Sequence, residues 1–85
     1  MSKYAPANEA GEKPYVVEQT GWGRKRAKVA YGTSVSDAKY RAFGRQGVGE
    51  YVTGCRRATP ADLELQREHH GILTMADFDK AAQPA

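Results

Sequence analysis

The chain is nearly devoid of cysteine. Cys55 is the only one in 85 residues, which excludes an internal disulfide framework, although secreted domains of this size are usually stapled by several. A reducing, cytoplasmic compartment is therefore expected. No apolar run approaches the roughly 20 residues that a membrane-spanning helix needs, so no membrane association is expected, and the N-terminus lacks the apolar centre of a secretory signal. Large apolar side chains are also sparse. There is one tryptophan, with two phenylalanines and five tyrosines, and the mean hydropathy is −0.71. A single domain with a modest core follows, because a chain this short buries only about 60% of its unfolded surface.

Catalytic and metal-binding patterns are missing as well. His69, His70 and Cys55 do not make the four-ligand spacing of structural zinc, and neighbouring helical residues point about 100° apart. Gly21-Trp22-Gly23 has neither the spacing of a phosphate-binding loop nor a helix after it. Cys55 sits within a strand-like run, where a thiol usually serves as a small apolar group. No catalytic residue, cofactor or metal is therefore assigned, and a non-enzymatic protein is expected.

Acids are scarce in the middle of the chain. Between Gly21 and Arg57 stand nine cations (Arg24, Lys25, Arg26, Lys28, Lys39, Arg41, Arg45, Arg56, Arg57) against Asp37 and Glu50, a net +7. The flanks carry four bases and eight acids, a net −4, and the whole chain is +3. A basic centre of this kind suits a polyanionic or acidic partner.

Local patterns divide the chain into three parts. Residues 1–13 read as a disordered arm of Ala, Pro, Glu, Lys and Gly. Residues 14–58 read as a ββαβ core domain. Its first strand, Pro14–Thr20, is rich in β-formers. A Gly-Trp-Gly loop leads to a second strand, Arg24–Tyr31, in which Ala27, Val29 and Tyr31 alternate with Arg26, Lys28 and Ala30. Tyr15 and Val17 are expected to share the face of Ala27 and Val29. Ser34 caps a helix over Val35–Gln46 with Gly47 as its C-cap, and Asp37, Arg41 and Arg45 fall on its outer face. The third strand spans Gly49–Ala58, with a bulge or close approach at Gly54. Residues 59–85 form a helical extension of two short helices, started by Thr59-Pro60-Ala61-Asp62 and Thr74-Met75-Ala76-Asp77, with a free end at Gln83-Pro84-Ala85.

The fold class is accordingly α+β, a three-stranded sheet with a packed helix. A helical crossover makes strands two and three parallel, and right-handed chirality places strand one between them, in the order 2-1-3. The helix covers one sheet face, and Arg26 and Lys28 lie on the other, which the C-terminal helices either cover or leave open.

The candidate binding residues are Trp22, Arg24, Lys25, Arg26, Lys28, Arg41, Arg45, Arg56 and Arg57. Cations neutralise phosphates and an aromatic on a loop stacks on a base. The same groups also suit an acidic protein surface, with charge for steering and arginine for anchoring. The plainer alternative is that Trp22 folds back over a thin core while the cations stay solvated.

Over Tyr15–Arg57 the chain resembles the small host RNA polymerase inhibitors of T7-like phages. The resemblance rests on Val17-Glu18, on Ala30-Tyr31, on the Ser34-Val35-Ser36-Asp37-Ala38 helix start and on Val52-Thr53 with the arginines after it. It implies a small phage effector in the bacterial host cytoplasm that acts by occupying a surface. It also implies that Arg56 contacts the jaw of the polymerase β′ subunit. Gly54 stands where a second contacting arginine would be, and Lys39, Arg41 and Arg45 occupy a helix that is acidic in that family. The expected function is thus a monomeric inhibitor of a host nucleic-acid-handling machine, RNA polymerase being the named example. The alternative is a protein that binds DNA or RNA directly through the same basic patch and Trp22.

Overall fold

Two strands and the turn between them set the architecture. In the computed structural model, which describes residues 3–83, strand β1 (Lys13–Gly21) and strand β2 (Arg24–Gly32) form an antiparallel hairpin closed by Trp22-Gly23. Helix α1 (Val35–Phe43) crosses back, and strand β3 (Glu50–Arg57) pairs antiparallel with the free side of β1. The sheet order is β2-β1-β3, as chirality predicts. Helices α2 (Pro60–Glu68) and α3 (Met75–Ala82) follow. Among the described residues no helix is long and apolar enough to cross a membrane.

The central strand is buried on both faces. Val16 and Val17 are adjacent, point in opposite directions and are both 0% exposed. Val17 and Tyr15 pack with Ala38 and Ala42 of α1. Val16 packs with Ala27, Ala58, Leu73 and Phe78, and with Val29 alongside. The C-terminal helices therefore cover the second face and supply Phe78, which is 0% exposed.

This arrangement corrects the facial assignment. Val16 pairs with Val29, and Val17 pairs with Lys28, so Ala27 and Val29 share the face of Val16 and not that of Tyr15 and Val17. Arg26 and Lys28 consequently lie on the α1 face, where both cations stand 5.1 Å from the centre of the Phe43 ring. The cause is the register set by a two-residue turn. Opposed residues share a face, and a slip of one residue would reverse every assignment.

One sheet edge and the helix ends are capped. Ala27 N–H on the outer edge of β2 donates to Leu73 O (2.6 Å) and Val29 N–H donates to Gln66 Oε1 (2.9 Å), which covers part of that edge. Helix α1 stops at Phe43 rather than Gln46, because Gly44 adopts φ 65° and its N–H closes on Tyr40 O. Both C-terminal helices begin with reciprocal capping boxes, Thr59 with Asp62 and Thr74 with Asp77. The register shift between Glu18 and Gln19 leaves Thr53 as the extra residue of a bulge beside Gly54, and a Cβ on Gly54 would stand 3.2 Å from Met75 Cε.

The N-terminal arm holds neither helix nor strand over residues 3–12, but it is tied down. Ala5 is buried, its N–H donates to Ala58 O (2.8 Å), and its carbonyl accepts from Arg57 Nη2 (3.1 Å). Of the expected free end, Gln83 is the C-cap of α3, and Pro84 and Ala85 lie outside the described residues.

Phe78 tests the two-sided core. Phe78→Ala is expected to cost about 3–5 kcal/mol, a large share of the roughly 4–13 kcal/mol typical of such a chain length. Urea unfolding followed by circular dichroism measures it. An unshifted midpoint would mean that α3 adds nothing to the sheet.

Candidate binding face

The hairpin tip gathers four of the predicted residues. Gly21 pairs with Arg24, so the loop is reduced to Trp22 (φ 52°) and Gly23 (φ 75°). Positive φ at both central residues is the requirement of a type I′ turn, whose twist matches that of the strands. The loop is thus tight. Trp22 does not fold back over the core, as it is 78% exposed. Its six-membered ring lies over Gly49, where an added Cβ would be 3.3 Å from Cζ2. Trp22, Arg24, Lys25 and Arg26 line a groove of about 440 Å³, together with Gln19, Gly21, Glu50 and Ile72.

Polar contacts beneath the tip hold its α1 side in place. Gln19 is a buried polar residue of β1. Its Oε1 accepts from Arg26 Nε (3.0 Å), and its Nε2 donates to Gln46 Oε1 (2.7 Å). Arg26 and Lys28 then share the Phe43 ring, a cation–π arrangement that orients both without neutralising either. Residue spacing could not find the Gln19–Gln46 bond, which spans 27 residues. Its only sequence signal was a glutamine in a strand otherwise rich in apolar groups. Ile72, exposed beside the groove, was likewise unassigned.

Three of the other predicted cations, Arg41, Arg56 and Arg57, are engaged elsewhere. Arg41 pairs with Glu12 and, at 3.2 Å, with Asp37. Arg45 is exposed but lies beyond the end of α1, off the helical face expected for it. Arg57 lies near the rings of Tyr4 (5.4 Å) and Tyr15 (6.0 Å) and donates to Ala5 O. Arg56 is a structural clamp. Its Nη1 and Nη2 grip both oxygens of Asp62 (2.7 and 3.1 Å), and its Nε donates to Asp79 (2.9 Å). The Asp62 side chain is wholly buried and also accepts from Thr59 N–H (2.7 Å) and its hydroxyl. By contrast, Arg24, Lys25, Arg26, Lys28 and Arg45 form no ion pair among the described residues.

The thiol and the imidazoles lie away from the tip. Burial pushes the Cys55 thiol up against the pull of Lys39, so it stays protonated near neutrality and is a poor nucleophile. His69 is the C-cap of α2. Among the described residues no group of three or more His, Cys, Asp or Glu side chains converges on a metal-sized site. Comparison with protein-family models, curated proteins and solved structures finds no match for this chain.

The Arg56–Asp62 pair has a definite pH signature. Burial works to raise the Asp62 pKa, but the hydrogen bonds from Arg56 and Thr59 outweigh it and hold it below the usual carboxylate range. A carboxylate depressed in the folded state contributes fully above its unfolded pKa, and the contribution is lost as pH falls through the folded pKa. The melting temperature is therefore expected to fall below about pH 4, with a shallower acid limb in Asp62→Asn. Arg56→Ala, which strands a buried charge, is expected to lose about 3 kcal/mol or more at pH 7. A neutral-pH loss under 1 kcal/mol in thermal or urea melts would free Arg56 for a partner.

Proposed function

We propose that this chain is a non-enzymatic binding protein that holds nucleic acid directly through the hairpin tip. The observation that carries this reading is the group of cations without ion pairs, Arg24, Lys25 and Arg26, in one groove with the exposed Trp22, continued along β2 by Lys28 over Phe43. Phosphate neutralisation requires cations free of internal carboxylates, and here they are concentrated at one end of the sheet. Arg26 and Lys28 are also pre-oriented by Gln19 and Phe43, which lowers the ordering cost of a contact.

The rival reading is a phage-like effector on an acidic surface of a host machine such as RNA polymerase, and it would use the same tip. In the related inhibitors, by the resemblance, the contact falls to an arginine at the position of Arg56. That guanidinium here spans Asp62 and Asp79, and a partner would have to displace it. Direct binding asks no such rearrangement.

Fluorescence anisotropy with labelled oligonucleotides tests the reading. Four cations on phosphates predict a log–log salt slope near −3, so affinity falls roughly 50- to 150-fold between 50 and 200 mM salt. Arg24→Glu with Lys25→Glu should abolish binding with little change in melting temperature, since neither side chain forms an ion pair among the described residues. Absence of binding to every oligonucleotide at 50 mM salt, with one stoichiometric protein recovered from a bacterial lysate, would overturn direct binding in favour of the effector.

A further inference from the structure

Trp22 occupies a backbone position that disfavours it. Both central residues of the turn have positive φ, where Asn, Asp and Gly are the usual choices. A bulky L-residue there is strained, because its Cβ crowds the backbone. Burial does not offset that cost, because most of the indole faces solvent. Nor is the ring loose, because it rests on the backbone of Gly49, a residue itself at φ 81° and too close to the indole to carry an unstrained side chain. A large aromatic that is strained, supported on one side and open to solvent is a platform that the fold does not need for its own core. Backbone strain kept at an exposed position points to a ligand.

We infer that Trp22 stacks on an unpaired base, so that the ligand of the tip is single-stranded nucleic acid. The inference rests on the nucleic-acid reading above and adds strandedness to it. A base in a duplex has both faces covered by its neighbours, whereas a single strand offers them to an aromatic ring. The groove of about 440 Å³ falls in the size range of pockets for small ligands, ~300–1,000 Å³, which matches a single splayed nucleotide. Arg24 and Lys25 follow Trp22 after a single glycine and form no ion pair among the described residues, so they can take the phosphates beside the stacked base.

The only tryptophan of the chain is the proposed platform, so its intrinsic fluorescence reports the site directly. The probes are a 12-nucleotide oligodeoxythymidine, its RNA counterpart, and a 12-base-pair DNA duplex. Single strands should quench Trp22 and bind at least ~10-fold more tightly than the duplex. Trp22→Asn restores the favoured Asn-Gly turn, so its melting temperature should hold or rise. Its single-strand affinity, followed by anisotropy, should fall roughly 5- to 150-fold, the equivalent of 1–3 kcal/mol for one stacked base, at an unchanged salt slope. Trp22→Phe should recover part of the loss. Equal binding of duplex and single strand, or a Trp22→Asn variant with undiminished affinity, would overturn stacking and leave the nucleic-acid reading intact. Binding to none of the three probes, with quenching by anionic phospholipid vesicles instead, would overturn both.

Discussion

Everything in this small protein depends on β1 being covered on both faces. A chain of 85 residues with few large apolar groups cannot build a thick core. It builds two thin ones that share a strand, with Val17 and Tyr15 under α1 and Val16 under α2 and α3. The consecutive burial of Val16 and Val17 is the mark of a strand without a wet face. Burying both faces also determines what the protein leaves exposed. The described helices cover the body of the sheet, and the hairpin tip is where exposed cations and the exposed tryptophan meet.

Charge follows the same division. The acidic flanks do not form a separate pole. Glu12 from the arm reaches Arg41, and Asp62 and Asp79 from the C-terminal helices reach Arg56. The ends of the chain thus neutralise part of the basic middle and fasten helices and arm to it. Left without ion pairs are Arg45 beyond α1 and a surface on β2 at Arg24, Lys25, Arg26 and Lys28, more focused than the linear +7 implies. Buried pairs of this kind add little net stability over apolar packing but punish the loss of one partner. Arg56 is therefore engaged within the fold, held between Asp62 and Asp79.

The legible and illegible parts of the sequence separate along physical lines. Strand order was legible, because a β-helix-β crossover has one preferred hand and a hairpin has neighbouring strands. The caps at Ser34, Thr59 and Thr74 were legible, because capping is local chemistry. Facial assignment failed for a traceable reason. The alternation of Ala27, Val29 and Tyr31 is real, but joining it to Tyr15 and Val17 requires a register, and Gly21-Trp22-Gly23 reads as a three-residue loop. A two-residue turn at Trp22-Gly23 sets Val16 opposite Val29. The fates of Arg56 and Arg57 were beyond pattern reading, because Asp79 and Ala5 approach them only through the packing of distant segments.

Trp22 is where local and global demands part company. At nearly every other point local preference agrees with the fold: glycines at Gly23, Gly44 and Gly49 take positive φ, and threonines and aspartates sit at helix starts. A consistent sequence would place Asn at residue 22, which would close the same turn with less strain and expose less apolar surface. Such departures concentrate where a residue answers to something other than stability. The support that Gly49 gives the ring and the unpaired cations that follow it in sequence make the departure coherent. The turn holds an aromatic surface outward, and the charges beside it set the sign of what that surface can meet.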